Sequence, residues 1–217
     1  MAQIGGGQNR LKPNSHFTHS HKLPKIALSL ALLLGGANIA LAEESGGFVG
    51  IGIGGGGIQS KFTYPEQTIK SPIANGFSYG IIGGYKYFFT KNLGARFYAN
   101  VDMHHPVGQN LIMLPSYGAN ADFLASFAIN ELFELGGFVG VGLGGATYYV
   151  DEIIGGFNQT SFDVGLNLGI RGNIVKNHGV ELAVKVPFLP VVKIKDTDST
   201  RELGQVYNVL VRYVYTF

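Results

Sequence analysis

The chain has 217 residues and no cysteine; charged residues make up only 14% of it, and glycine fills 33 positions. A disulfide framework and a thiolate metal site are therefore excluded, and 46% apolar with 12% aromatic residues excludes a disordered chain. Mean hydropathy is +0.18, yet beyond residue 42 no apolar run is long enough for a spanning helix, so the composition points to a membrane barrel.

Residues 1–42 read as a separate object. They carry Arg10, Lys12, Lys22 and Lys25 and no acid. An apolar run from Ile26 to about Leu41 follows, ending in Ala40-Leu41-Ala42 ahead of Glu43-Glu44. A basic head, a short apolar core and a small-residue exit describe a helical secretory signal peptide cleaved after Ala42. The absence of cysteine excludes a lipoprotein anchor. Removing these four cations from 16 basic and 14 acidic residues leaves 12 against 14. The mature chain, 43–217, is then slightly acidic and gives no reason to expect nucleic acid as a partner.

From Phe48 onward the pattern has period two, the signature of strands whose faces differ. Eight segments show it, at about 48–61, 76–88, 93–104, 116–128, 136–150, 160–174, 179–188 and 204–217. Connections at 89–92, 129–135 and 175–178 are short. Those at 62–75, 105–115, 151–159 and 189–203 are longer and hold most of the prolines. Short turns at one rim and longer loops at the other fit an all-β, eight-stranded antiparallel transmembrane barrel with a periplasmic and an external end.

The orientation of the faces follows from energy. An Arg or Lys facing lipid at mid-membrane costs ~2–4 kcal/mol, so the faces bearing Arg96, Arg171, Lys185 and Arg212 turn inward. A soluble barrel with the opposite orientation would need more surface charge than this chain has. The inward faces then bring Lys86, Arg96, Arg171, Lys185 and Arg212 together with Asp102, Asp122, Asp163 and Glu181, and a barrel of this size is just filled by its side chains. The expectation is a lumen ion-pair network, with a narrow pore as its rival.

The Gly-alternating segment Gly46–Gly55 matches Gly136–Gly145, which places two nearly side-chain-free inner faces on opposite sides of the barrel. No helix follows either, so a phosphate loop is not indicated. His104 and His105 close the third segment near Ser116 and Tyr117. Adjacent strand residues point to opposite faces, which makes them a poor metal pair, and no spacing motif supports a lipid hydrolase. No cofactor is expected.

The final segment ends Val211-Arg212-Tyr213-Val214-Tyr215-Thr216-Phe217, and the alternation of Tyr213, Tyr215 and Phe217 resembles the signal read by the barrel-assembly machinery. Gly83-Gly84-Tyr85-Lys86-Tyr87-Phe88-Phe89, Leu93-Gly94-Ala95-Arg96-Phe97-Tyr98, Tyr117–Leu124, Leu166–Asn173 and His178–Pro187 together resemble the Helicobacter outer-membrane protein family, the Hop/Hor group of porins and adhesins. The resemblance covers most of 76–217, marks a barrel and brings no catalytic residue. It implies a Gram-negative outer-membrane location and a small barrel-only member, since large adhesins of the group carry a long extracellular insertion. Expected partners are outer-membrane lipid, lipopolysaccharide, the assembly machinery and host surface ligands. The function expected is structural, surface-display or host-interacting and not enzymatic; a porin for small solutes is the alternative, and a lipid-modifying enzyme the more distant one.

Overall fold

The computed structural model describes residues 45–107, 111–130, 133–150, 157–174 and 177–217. The signal segment with Ala40 and Ala42, and the proposed boundary at residue 43, lie outside them. Among the described residues every regular element is a strand: β1 (Gly46–Thr63), β2 (Thr68–Lys70), β3 (Ala74–Phe88), β4 (Leu93–Pro106), β5 (Leu111–Asn130), β6 (Phe133–Val150), β7 (Phe157–Ile174), β8 (His178–Pro187), β9 (Val192–Lys195) and β10 (Thr200–Thr216). Eight long strands, β1, β3, β4, β5, β6, β7, β8 and β10, pair antiparallel with their neighbours, and β1 pairs with β10 to close the barrel. Closure leaves these strands no open edge, which lipid would not tolerate.

The register fixes the shape. The cross-strand row that starts at Gly46 runs through Lys86, Arg96, Asp122, Gly140, Asn167, Lys185 and Asn208, and returns to β1 at Gly56. One circuit thus advances ten residues, the difference between positions 46 and 56. At ~3.3 Å per residue and ~4.8 Å between strands, this shear tilts the strands by about 40° and sets a backbone radius of about 8 Å. Side chains from facing walls meet at the axis of so narrow a barrel.

Among the described residues, six of the eight long strands exceed their expected segments at the upper rim, the one opposite Gly46 and Thr216; β6 and β8 do not. Residues 62–75 and 189–203 are not plain loops: β2 and β9 flank the tops of β1 and β10 and continue the sheet there. Residues 105–115 also contribute strand, since β4 reaches Pro106 and β5 begins at Leu111. Pro106 sits at a strand end, and Leu114 and Pro115 have no partner in β6, so both prolines avoid the ladder bonds they cannot make. Val206 is an extra residue between Gln205 and Tyr207, a bulge opposite Gly57 and Ile58.

Alternation separates the two faces cleanly. Ile51, Ile53, Phe97, Phe162 and Ile170 are exposed by more than half. Buried polar and charged residues outnumber buried apolar ones among the described residues, the reverse of a soluble protein. Outward aromatics gather toward the two rims, with Tyr85, Tyr87, Tyr213 and Phe217 below and Phe77, Tyr79, Tyr117 and Phe162 above. These are the positions of interfacial girdles around an apolar band.

Candidate functional site

The lumen holds the chemistry of the molecule, and two cross-strand rows organise it. The first is the row just traced, with Lys86, Arg96, Asp122, Asn167 and Lys185. The second runs Ser126, Gly136, Arg171, Glu181, Arg212, Gly52, Gly80, Asp102 and Ser116. Glycines alternate with the charges because a β-carbon would collide with them. At Gly140 it would lie 2.2 Å from Asp122 Oδ1 and at Gly80 2.0 Å from Asp102 Oδ1. At Gly52 it would lie 2.8 Å from Arg212 Cγ.

Arg96 is the hub. Its Nε donates to Asp122 Oδ2 at 2.9 Å, and its Nη1 donates across the barrel to Glu181 Oε1 at 2.6 Å. The guanidinium lies over the rings of Phe138 at 4.3 Å, Tyr98 at 4.9 Å and Phe48 at 5.8 Å. Burial of this charge is offset by two carboxylates and by the negative faces of three rings. Arg171 and Arg212 flank Glu181 on the neighbouring strands. Arg171 Nη2 also donates to Ser126 Oγ at 3.3 Å, and its guanidinium lies 5.5 Å from the Phe88 ring centre.

Higher in the lumen, Lys185 Nζ pairs with Asp163 Oδ2 at 2.5 Å. Asp102 joins through an amide rather than a direct ion pair, its Oδ2 accepting from Asn100 Nδ2 at 2.6 Å. From Asn100 the chain of bonds continues. Asn120 donates to Asn100 at 2.8 Å, and Asn167 donates to Asn120 at 2.9 Å and to Asp122 at 3.3 Å. One connected network therefore runs from Asp102 to Glu181.

All nine residues expected to line the lumen, Lys86, Arg96, Asp102, Asp122, Asp163, Arg171, Glu181, Lys185 and Arg212, are buried on the inner face. Three features escaped the sequence reading. The Asn100–Asn120–Asn167 ladder depends on register across strands, which alternation alone does not supply. Glu134, assigned to a turn, stands in β6 on the same face as Gly136 and Phe138 and accepts a hydrogen bond from Ser126 near Lys86; its parity with Gly136 was the available signal. Among the described residues it brings the acids of this network region to five against five bases. His104, weighed against Ser116 and Tyr117, instead bonds Ser78 Oγ through Nδ1 at 2.8 Å, and both are buried. His105 turns outward and stacks on Tyr79 at 5.6 Å.

Above this network the lumen becomes apolar. Ile58, Leu114, Ala146 and Val191 form a buried cluster joined by Ala74, Tyr148 and Leu203. Val191 is held by its amide on the Leu203 carbonyl at 2.8 Å and by Ser161 Oγ on its own carbonyl. Below, the cavity beside Lys86, Arg96, Arg171 and Glu181 has about 10 Å³ of space for water, room for roughly one molecule.

The profile of the Helicobacter outer membrane protein family matches residues 80–217. The chain belongs to that family. The match spans β4 to β10 and most of β3, and so covers the strands that carry all nine lumen residues. This Helicobacter outer membrane protein family member is also similar to solved outer-membrane barrels. Neisserial surface protein A is 18% identical with a TM-score of 0.47, the match covering 80% of this chain and 98% of that one. The attachment invasion locus protein of Yersinia pestis is 18% identical with a TM-score of 0.39, covering 80% and 99%. The N-terminal barrel domain of Pseudomonas aeruginosa OprF is 12% identical with a TM-score of 0.40, covering 79% and 100%. No curated protein sequence matches the chain.

Proposed function

We propose that the protein is a sealed, non-catalytic outer-membrane barrel with an envelope-structural or host-contacting role. In this reading it is exported behind a signal peptide cleaved after Ala42. The lower rim, with Tyr213, Tyr215 and Phe217 on its outward face, faces the periplasm and engages the assembly machinery. The upper rim, extended by β2 and β9, faces outward among lipopolysaccharide and host ligands. The observation that carries the reading is the filled lumen, with the Arg96 network below and the Leu114 cluster above. Ser78 supports it as well, since a hydroxyl with 0% exposure gives His104 no nucleophile that a substrate reaches.

Planar-bilayer recording tests the proposal. The folded barrel in molar potassium chloride is expected to show no stepwise conductance. Stable openings would put the porin reading in its place. Mass spectrometry of the membrane-extracted chain is expected to find Glu43 as its first residue; an intact Met1 would refute cleavage.

A further inference from the structure

The upper ends of β2, β1, β10 and β9 form a four-strand flap whose two faces differ sharply. Lys70, Lys61, Glu202 and Lys193 stand side by side in one cross-strand row. Ile69, Phe62, Arg201 and Ile194 form the next row and point the opposite way, with Arg201 over the Phe62 ring at 5.0 Å. Lys61 shares the parity of Val49, Ile51 and Ile53, the exposed outer residues of β1. The lysine row is therefore on the outer wall of the barrel.

Its height matters. From Phe48 to Lys61 is 13 strand steps, roughly 43 Å along the strand and about 32 Å of height at the ~40° tilt. An apolar barrel band is ~25 Å tall, so the lysines sit just above it, at headgroup level. A groove runs along the same wall. Lys61 and Lys70 border it on one side, Phe188, Leu189 and Pro190 on the other, with Gly204 between. Glu202 organises the lysines without neutralising them. Its Oε2 binds Lys61 at 3.3 Å and its Oε1 binds Lys193 at 2.6 Å, and the two lysine side chains remain 43% and 49% exposed. Each ammonium has three donors, so donors remain for an outside acceptor. Lys195, exposed on β9, adds a further positive charge.

We propose that this groove is a binding site for a phosphorylated glycolipid of the outer leaflet, with phosphate on Lys61, Lys70 and Lys193 and acyl chain against Phe188 and Leu189. A cationic row directly above an apolar wall is complementary to a lipid that carries anionic charge at its headgroup, and the apolar border distinguishes it from a site for a soluble polyanion. The inference rests on the reading that the upper rim faces outward.

The test uses the full chain folded in detergent micelles, with bisphosphorylated lipid A and its dephosphorylated form as probes and native mass spectrometry as readout. Wild type is expected to retain the phosphorylated lipid. The triple variant Lys61→Gln, Lys70→Gln, Lys193→Gln is expected to bind it at least about tenfold more weakly, while keeping the heat-modifiable gel migration of a folded barrel. Equal binding by the variant, or equal binding of the dephosphorylated lipid, would overturn the site. Capture of heparin without capture of lipid A would overturn it in favour of a soluble polyanion. The orientation is tested separately by labelling Asp198→Cys, a single thiol in a cysteine-free chain, on intact cells. Labelling only after the outer membrane is permeabilised would refute the outward-facing rim and so the site's access to that leaflet, whatever the micelle result.

Discussion

The two halves of the lumen close the same barrel by different means. The lower half packs Arg96, Glu181, Asp122, Arg171 and Lys86 around glycines. The upper half packs Ile58, Leu114, Ala146 and Val191 as a soluble protein would. The difference follows from what each half can use. Mid-barrel residues alternate with lipid-facing ones, and burying a charge inside costs less than placing it in lipid only if every charge meets a partner. Near the upper rim the inserted Val191 segment supplies apolar atoms from a connection, so no charge is needed. The lower seal depends on complementarity, the upper one on volume.

The sharpest way to break the contrast is Glu181→Gln. The side chain keeps its size but leaves Arg96, Arg171 and Arg212 around a neutral amide. Removing one partner of a buried pair costs ~3–5 kcal/mol, so urea unfolding in micelles is expected to show a loss of that order. Unchanged stability would mean that water already screens the pair and that the lumen is a channel. Leu114→Ala is expected to cost about 3 kcal/mol through the cavity it leaves. Gly140→Ala sharpens the role of the glycines. Its β-carbon would lie 2.2 Å from the Ala121 carbonyl oxygen, and overpacking of this kind costs ~1–3 kcal/mol. Gly83→Ala, with nothing nearer than 3.7 Å, is expected to leave the unfolding midpoint unchanged. A small effect is expected for Glu202→Gln on the partly exposed flap, where loss of the Lys61 and Lys193 pairs costs under about 1 kcal/mol.

Much of this arrangement was legible in the alternation of residue types. Parity alone assigns Arg96, Asp122 and Arg171 to the inner face and Ile51, Phe97 and Ile170 to the outer one. It does not report register, so nothing in the sequence shows that Arg96 reaches Glu181 rather than another acid, or that Asn100, Asn120 and Asn167 join. Turn signals misled at the strand ends. Pro106 and Pro115 read as loop residues, whereas Pro106 ends β4 and β5 continues through Pro115, which has no partner in β6. The flap strands β2 and β9 are too short and too polar to stand out by period, and pairing with β1 and β10 creates them. Glu134 falls outside the expected segment because that segment begins at 136, two residues beyond it, whereas β6 begins at Phe133.

The Arg96–Glu181 bond joins residues 85 positions apart, and this separation orders events in time. Arg96 reaches Asp122 as soon as β4 meets β5, but its second carboxylate arrives only with β8. Until then Arg96 has one of its two carboxylates, and Arg171 lacks the Glu181 that stands beside it in the finished barrel. β8 brings Lys185 together with Glu181, so its arrival leaves the net charge of the lumen unchanged but adds the bond that draws the two walls together. The cross-barrel bond and the closure of the cylinder therefore both come late, and a chain stalled before β8 keeps Arg96 tied to the β5 wall alone.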